Sequence, residues 1–269
     1  PTVNTTPIKD GLYLLQGRGG NVVAATGTDG ALLIDDDYPQ YQPAYLEAVK
    51  ALGHEGARFI INTHWHGDHS GGNAAWGESG SVIMAHDNVR QRLSTRQDMK
   101  LFKRVVEPAP TSAWPLVTYA DSLALHLNGH TIEVQHFPQG HTDGDSMVFF
   151  IEANVVHTGD HFFKDRFPFV DIGSGGTVGG FIQNIATLLE KVDDDTVIVP
   201  GHGSLASRAD LLRYHSMLVE TRDAVHEMQA SGMDLAAIQA AGLDKKWDSW
   251  GSGFINSERW ISFIVTSPR

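Results

Sequence analysis

Within six residues, His64, His66, Asp68 and His69 place four metal-competent side chains directly after the apolar run Phe59-Ile60-Ile61. Side chains alternate faces along an extended segment, so His64 and His66, two residues apart, project the same way and can grip one ion together. Asp68 and His69 fall where the chain turns toward a helix. They point elsewhere and are candidates for holding a second ion. The small residues of Ser70-Gly71-Gly72-Asn73-Ala74-Ala75 let that helix begin close to the metals.

Composition limits what else the chain can use. It contains no cysteine, which excludes disulfides, thiolate metal sites and cysteine nucleophiles, while fourteen histidines suit imidazole-based metal binding. A net charge of −12 argues against nucleic acid as the main partner, because phosphate binding needs clustered Lys and Arg. A length of 269 residues with 41% hydrophobic residues can bury a large core. With no apolar run of about 18 residues, no membrane partner is expected, and the partner sought is a small-molecule substrate. The start at Pro1 rather than Met suggests a processed or trimmed N-terminus. A periplasmic or secreted location and a cytoplasmic one both stay open, as does the oligomeric state.

Residues 11–15, 21–25 and 31–34 read as short strands between Gly-rich turns. Asp35-Asp36-Asp37 ends the third, either orienting a metal-bound histidine or forming a solvated acidic turn. Residues 43–52 have helical spacing, residues 58–62 form the strand that delivers the histidines, and residues 81–85 form another. A mostly polar helix is expected over 86–103. Three prolines then mark an irregular connection over 107–115, within the join (105–119) between two halves.

Strands restart at 122–127, 131–136, 146–151 and 155–157, with Asn128-Gly129 as a hairpin signal. Helices are expected at 178–192, 206–231 and 234–241, with a short strand at 196–199. Strands followed by helices in each half give an α/β fold of two sheets packed together with helices outside. The expectation is one domain over 1–269, with pseudo-halves of about 1–118 and 119–269.

Three later positions repeat the chemistry of the opening stretch at Gly-flanked loops. They are His141 in Gln139-Gly140-His141-Thr142, Asp160 in Thr158-Gly159-Asp160-His161, and His202 in Pro200-Gly201-His202-Gly203. The ordered set His64-x-His66-x-Asp68-His69, His141, Asp160 and His202 resembles the metallo-β-lactamase superfamily. That resemblance implies a four-layer αβ/βα sandwich of two mixed β-sheets flanked by helices, with two metal ions, usually zinc, at one edge. It places the first ion on His64, His66 and His141 and the second on Asp68, His69 and His202, with Asp160 bridging. Iron or manganese would suit the same donors. Two ions can share a hydroxide, because binding lowers the pKa of water toward about 7; this gives a hydrolase, and Asp68 is a candidate acceptor for the proton of the water. Ser70 reads as a helix-start residue rather than a nucleophile.

The substrate is narrowed by Asp160. Lactamases of this superfamily that use a cysteine at the second metal carry it at this point, so the aspartate resembles the wider hydrolases instead. The expected activity is cleavage of a small carbonyl substrate (β-lactam amide, lactone or ester), with a thioesterase or phosphoesterase as the alternative. A di-iron oxidoreductase or a non-catalytic binding protein is more remote. His161 is a candidate oxyanion donor, and Lys164 and Arg166 are candidates for an anionic substrate group. Phe162, Phe163, Phe167 and Phe169 form either an apolar wall or a small local core. The run Gly173-Ser174-Gly175-Gly176 lacks the Gly-Lys-Ser/Thr ending of a phosphate loop and reads as a turn before a helix.

Overall fold

Four short strands begin the chain: the exposed β1 (Asn4–Lys9) and the largely apolar β2 (Leu12–Gln16), β3 (Val22–Ala25) and β4 (Ala31–Ile34) pair antiparallel in sequence order. The computed structural model describes residues 1–268. It divides into two units, one of residues 1–137 with 144–159, the other of residues 138–143 with 160 onward.

In the first unit the sheet continues parallel through β5 (Ala57–Ile61), β6 (Val82–His86) and β9 (Val117–Tyr119). Parallel neighbours need crossovers. These are α1 (Gln42–Ala51), the pair α2 (Gly67–Ser70) and α3 (Asn73–Glu78), and then α4 (Asp87–Ser94) with a hairpin of β7 (Gln97–Met99) and β8 (Arg104–Val106). Val22, Ala24, Leu33 and Ile60 of this sheet pack with Tyr45 and Val49 of α1 and with Trp76 of α3, all buried. Ile34 pairs with Ile61, so the carboxyl ends of β4 and β5 lie side by side, where loops of parallel strands converge. Asp35 and the histidine stretch leave from those two ends.

The unit's second sheet runs β10 (Ser122–Leu127), β11 (His130–His136), β12 (Ser146–Phe150) and β13 (Val155–His157), all antiparallel. Asn128 and Gly129 both have positive φ (55° and 80°), as a two-residue hairpin turn requires. Bonds between the sheets include Ser146 N–H to the Thr63 carbonyl and the His157 ring to the Asn21 carbonyl, both 2.8 Å.

The second unit carries α5 (Val178–Lys191), β14 (Val197–Val199), α6 (Arg208–Ala230), α7 (Leu235–Ala241) and α8 (Ser257–Thr266). Thr177, Ser207, Asp234 and Asn256 cap the four helices. The tail tryptophans Trp247, Trp250 and Trp260 are buried. Trp260 is fully buried, stacks near Phe167 and donates to Thr221 Oγ1 at 2.9 Å.

The mixed first sheet, the antiparallel strands of the second and the helices bear out the α/β fold class. One expectation fails. The polar helix stops at Ser94 instead of running to 103, and a hairpin follows. Ser94 and Thr95 hydroxyls both donate to the Gln91 carbonyl, and Gln97 Nε2 donates to the Arg92 and Thr95 carbonyls, which satisfies the helix end locally. Val105 and Val106 then favour a strand.

Candidate functional site

Each unit brings together its own share of the expected ligands. In the first, β5 delivers His64 and His66, both buried, with ring centroids 4.9 Å apart and nearly perpendicular. His66 caps the one-turn α2, so Asp68 and His69 turn away, and Asp68 Oδ2 stands 3.7 Å from His69 Nε2. Ser70 ends this turn rather than starting it. Its hydroxyl donates to the Trp65 and His66 carbonyls.

The acidic triplet after β4 is not a solvated turn, because Asp35, Asp36 and Asp37 are all fully buried. Asp35, with a positive φ of 65°, accepts from Thr63 N–H (2.7 Å) and Thr63 Oγ1 (2.8 Å) and from His69 Nδ1 (2.6 Å). Because the Thr63 hydroxyl donates to Asp35, its oxygen accepts from His64 Nδ1 at 3.0 Å. One carboxylate therefore sets the tautomer of both histidines and leaves Nε2 as the outward nitrogen of each.

Asp37 accepts from the Arg18 and Gly19 amides (2.9 and 2.8 Å) and the Tyr45 hydroxyl (3.1 Å), clamping the loop before β3. That loop presses Gly20 on His69. A Cβ on Gly20 would lie 2.0 Å from His69 Cε1, so only glycine fits. The strand and turn pattern does not disclose this brace, and its one sequence signal is the Gly17-Arg18-Gly19-Gly20 run. Asp36 accepts from Gly72 N–H at 2.9 Å, and burial pushes its carboxyl well above the usual carboxylate range.

In the second unit, the His141 loop is held by the segment leading into α5. The Asp171 amide donates to the His141 carbonyl (2.9 Å), and the Thr177 amide donates to the Gln139 carbonyl (3.0 Å). Gly176 packs so closely that a Cβ there would come 2.3 Å from the His141 carbonyl oxygen. The Gly-rich run thus makes room for this loop. His141 Nδ1 donates to the Phe169 carbonyl at 2.7 Å, again leaving Nε2 outward. His202 is placed by main-chain bonds, with the Gly201 amide donating to the Phe162 carbonyl and the Lys164 amide to the His202 carbonyl. Asp160 turns one oxygen to each histidine: Oδ2 is 3.4 Å from His141 Nε2, and Oδ1 is 3.4 Å from His202 Nε2.

The four phenylalanines are buried as a local core that also touches the histidines. Phe163 stacks on His202 and Phe169 meets His141 edge-on. His161 is fully buried. Asn184 Nδ2 donates to the Pro138 carbonyl (3.0 Å), which fixes the amide's orientation, so His161 Nε2 accepts from the same nitrogen at 3.0 Å. Lys164 Nζ donates to the Leu205 carbonyl at 2.8 Å and pairs with Asp210 at 3.3 Å, whereas Arg166 is exposed.

These donors fit divalent metal ions. Separations of 3.4–3.7 Å between ligand atoms exceed good hydrogen bonds. Two ligands at about 2.0–2.1 Å on one tetrahedral ion stand roughly 3.3–3.4 Å apart. His64, His69 and His141 each have the second ring nitrogen taken by a protein acceptor, the arrangement that orients metal-binding imidazoles.

Solved structures share the fold, and curated proteins share part of the sequence. A solved metallo-beta-lactamase from Pontibacter korlensis superposes with a TM-score of 0.65 at 19% identity, covering 81% of this chain and 99% of that one. A double mutant of the sec-alkyl sulfatase PisA1 superposes with a TM-score of 0.74 at 17% identity, covering 97% of this chain and 49% of that one. In sequence, the hydroxyacylglutathione hydrolase GloC of Haemophilus influenzae is 28% identical over 155 residues, 55% of this chain and 69% of the relative. The shared stretch spans between 44% and 60% of several further relatives. The family model described as metallo-beta-lactamase superfamily matches residues 13–202, a span that contains every histidine and aspartate of the two ligand sets. With the fold and the ordered donors in agreement, the chain belongs to the metallo-beta-lactamase superfamily.

Proposed function

We infer that this protein is a dinuclear metal-dependent hydrolase. In this reading the two ligand sets act as one site, with His64, His66 and His141 on the first ion, Asp68, His69 and His202 on the second, and Asp160 shared by both. The observation that carries it is the paired bracing, in which Asp35 and the Phe169 carbonyl hold His69 and His141 with Nε2 presented beside an aspartate oxygen. Imidazole and carboxylate donors without thiolate suit zinc, and iron or manganese would fit the same set. When bound, such ions polarise a substrate oxygen and bring the pKa of water toward about 7.

The chain's own groups do the rest. Asp68, 23% exposed, is the ligand carboxylate best placed to take a proton from water. His161 lies buried behind Gly140 (a Cβ there would be 2.0 Å from its Nε2), so it serves by supporting the loop that carries His141. Of the two cations considered for an anionic substrate group, Lys164 is held by Leu205 and Asp210, which favours Arg166. The substrate is a small carbonyl compound (ester, lactone or β-lactam amide). The name of the Haemophilus influenzae relative favours a thioester as the second reading.

The test is turnover of a nitrocefin, lactone, thioester and aryl-phosphate panel, with and without chelation, by the wild type and His66→Ala. Turnover of one class, lost on chelation and in His66→Ala, is expected. Turnover that survives both would overturn the reading.

A further inference from the structure

The hairpin of β7 and β8 takes no part in either ligand set, yet it stands next to one. Its base is fixed, because Met99 and Val106 pack on the cluster of Trp65, Ala85 and Val89, and Trp65 lies between His64 and His66. Its tip is a run of six exposed residues, Lys100-Leu101-Phe102-Lys103-Arg104-Val105. Leu101 is 45% exposed, Phe102 36% and Val105 41%. Three apolar side chains are thus interspersed with three cations and no acid. Among the described residues no carboxylate pairs with Lys100, Lys103 or Arg104. The nearby Glu107 is paired with Arg96 at 3.6 Å. In a chain of net charge −12, residues 96–106 hold four cations against one acid.

We propose that this hairpin tip is a docking element for an anionic lipid surface. Apolar side chains flanked by cations match the boundary between lipid headgroups and acyl chains, where the cations meet phosphate and carboxylate while Leu101, Phe102 and Val105 leave water. Nucleic acid fits less well. A phosphate backbone would satisfy the cations but bury neither Leu101 nor Val105. The acidic remainder of the protein orients the contact, since it is repelled by the surface that attracts the tip. Contact of this kind needs no spanning segment, and no described helix is long and apolar enough to cross a membrane.

The test is co-sedimentation of the full chain with vesicles of phosphatidylcholine alone or with about one-third phosphatidylserine, an anionic content that attracts cationic segments. Binding to the anionic vesicles only, weakened by salt, is expected. Lys100→Gln, Lys103→Gln and Arg104→Gln combined should lower partitioning about a hundredfold, at roughly fivefold per charge. Leu101→Ser with Phe102→Ser should lower it about tenfold or more. Both variants should keep the circular dichroism and metal content of the wild type, because all five side chains are exposed. No sedimentation with anionic vesicles would overturn the proposal. So would unchanged binding of the serine variant, or equally tight binding of a single-stranded RNA that depends on the cations alone. None of these outcomes bears on hydrolysis.

Discussion

The two ligand sets are built in opposite ways. His64, His66, Asp68 and His69 come from six consecutive residues, and a buried carboxylate, Asp35, fixes two of the rings. His141, Asp160 and His202 come from three separate loops. Main-chain bonds and a tight glycine contact fix the His141 and His202 loops. The first set therefore depends on one side chain that mutation can delete. The second rests largely on main-chain bonds, which deleting a side chain does not remove.

Asp35→Ala is the sharpest way to break that contrast. It strips the acceptor from Thr63 N–H and from His69 Nδ1, both buried, and should cost roughly 3–5 kcal/mol in urea unfolding of the metal-free protein. Metal affinity, read by competition with a chelator, should fall about 10- to 100-fold. Next comes Gly20→Val, whose Cβ would collide with the His69 ring. A loss of about 1–3 kcal/mol is expected, with metal binding impaired as well. In the second set, Asn184→Ala leaves the Pro138 carbonyl and His161 without their shared donor, a smaller loss of about 1–2 kcal/mol. Metal binding should then weaken less than in Asp35→Ala. An equal or larger loss of affinity would show that the two sets are braced alike.

The smallest effect tests the acidic triplet through pH. Burial raises the Asp36 pKa in the folded state above its unfolded value. Its ionisation therefore opposes folding, and stability falls as pH rises from the unfolded pKa through the folded one. Asp36→Asn retains an acceptor for Gly72 and cannot ionise. In metal-free protein its urea midpoint should gain on the wild type as pH rises from 4 to 7, and a gap that narrows would contradict the burial argument.

The contiguous ligands were legible because they crowd one strand end, where period-two alternation says which rings face together. Strands β2 to β6 and the Asn128-Gly129 hairpin were legible from apolar runs and turn chemistry. The supports were not. Asp37 works through amides 18 and 19 residues earlier in the chain, and Asn184 is an ordinary polar residue of α5 until the fold sets it against His161. The β7–β8 hairpin was hidden because a mixed polar and apolar stretch fits a helix as well as two short strands. Side-chain bonds at Ser94, Thr95 and Gln97 decide the matter.

The proposed function requires that the two sets share one dinuclear centre. Anomalous diffraction at the zinc edge from crystals of the zinc-loaded protein tests it directly. Two peaks per chain are predicted, one on His64, His66 and His141, the other on Asp68, His69 and His202, with Asp160 touching both. A single peak, or peaks on other residues, would contradict it.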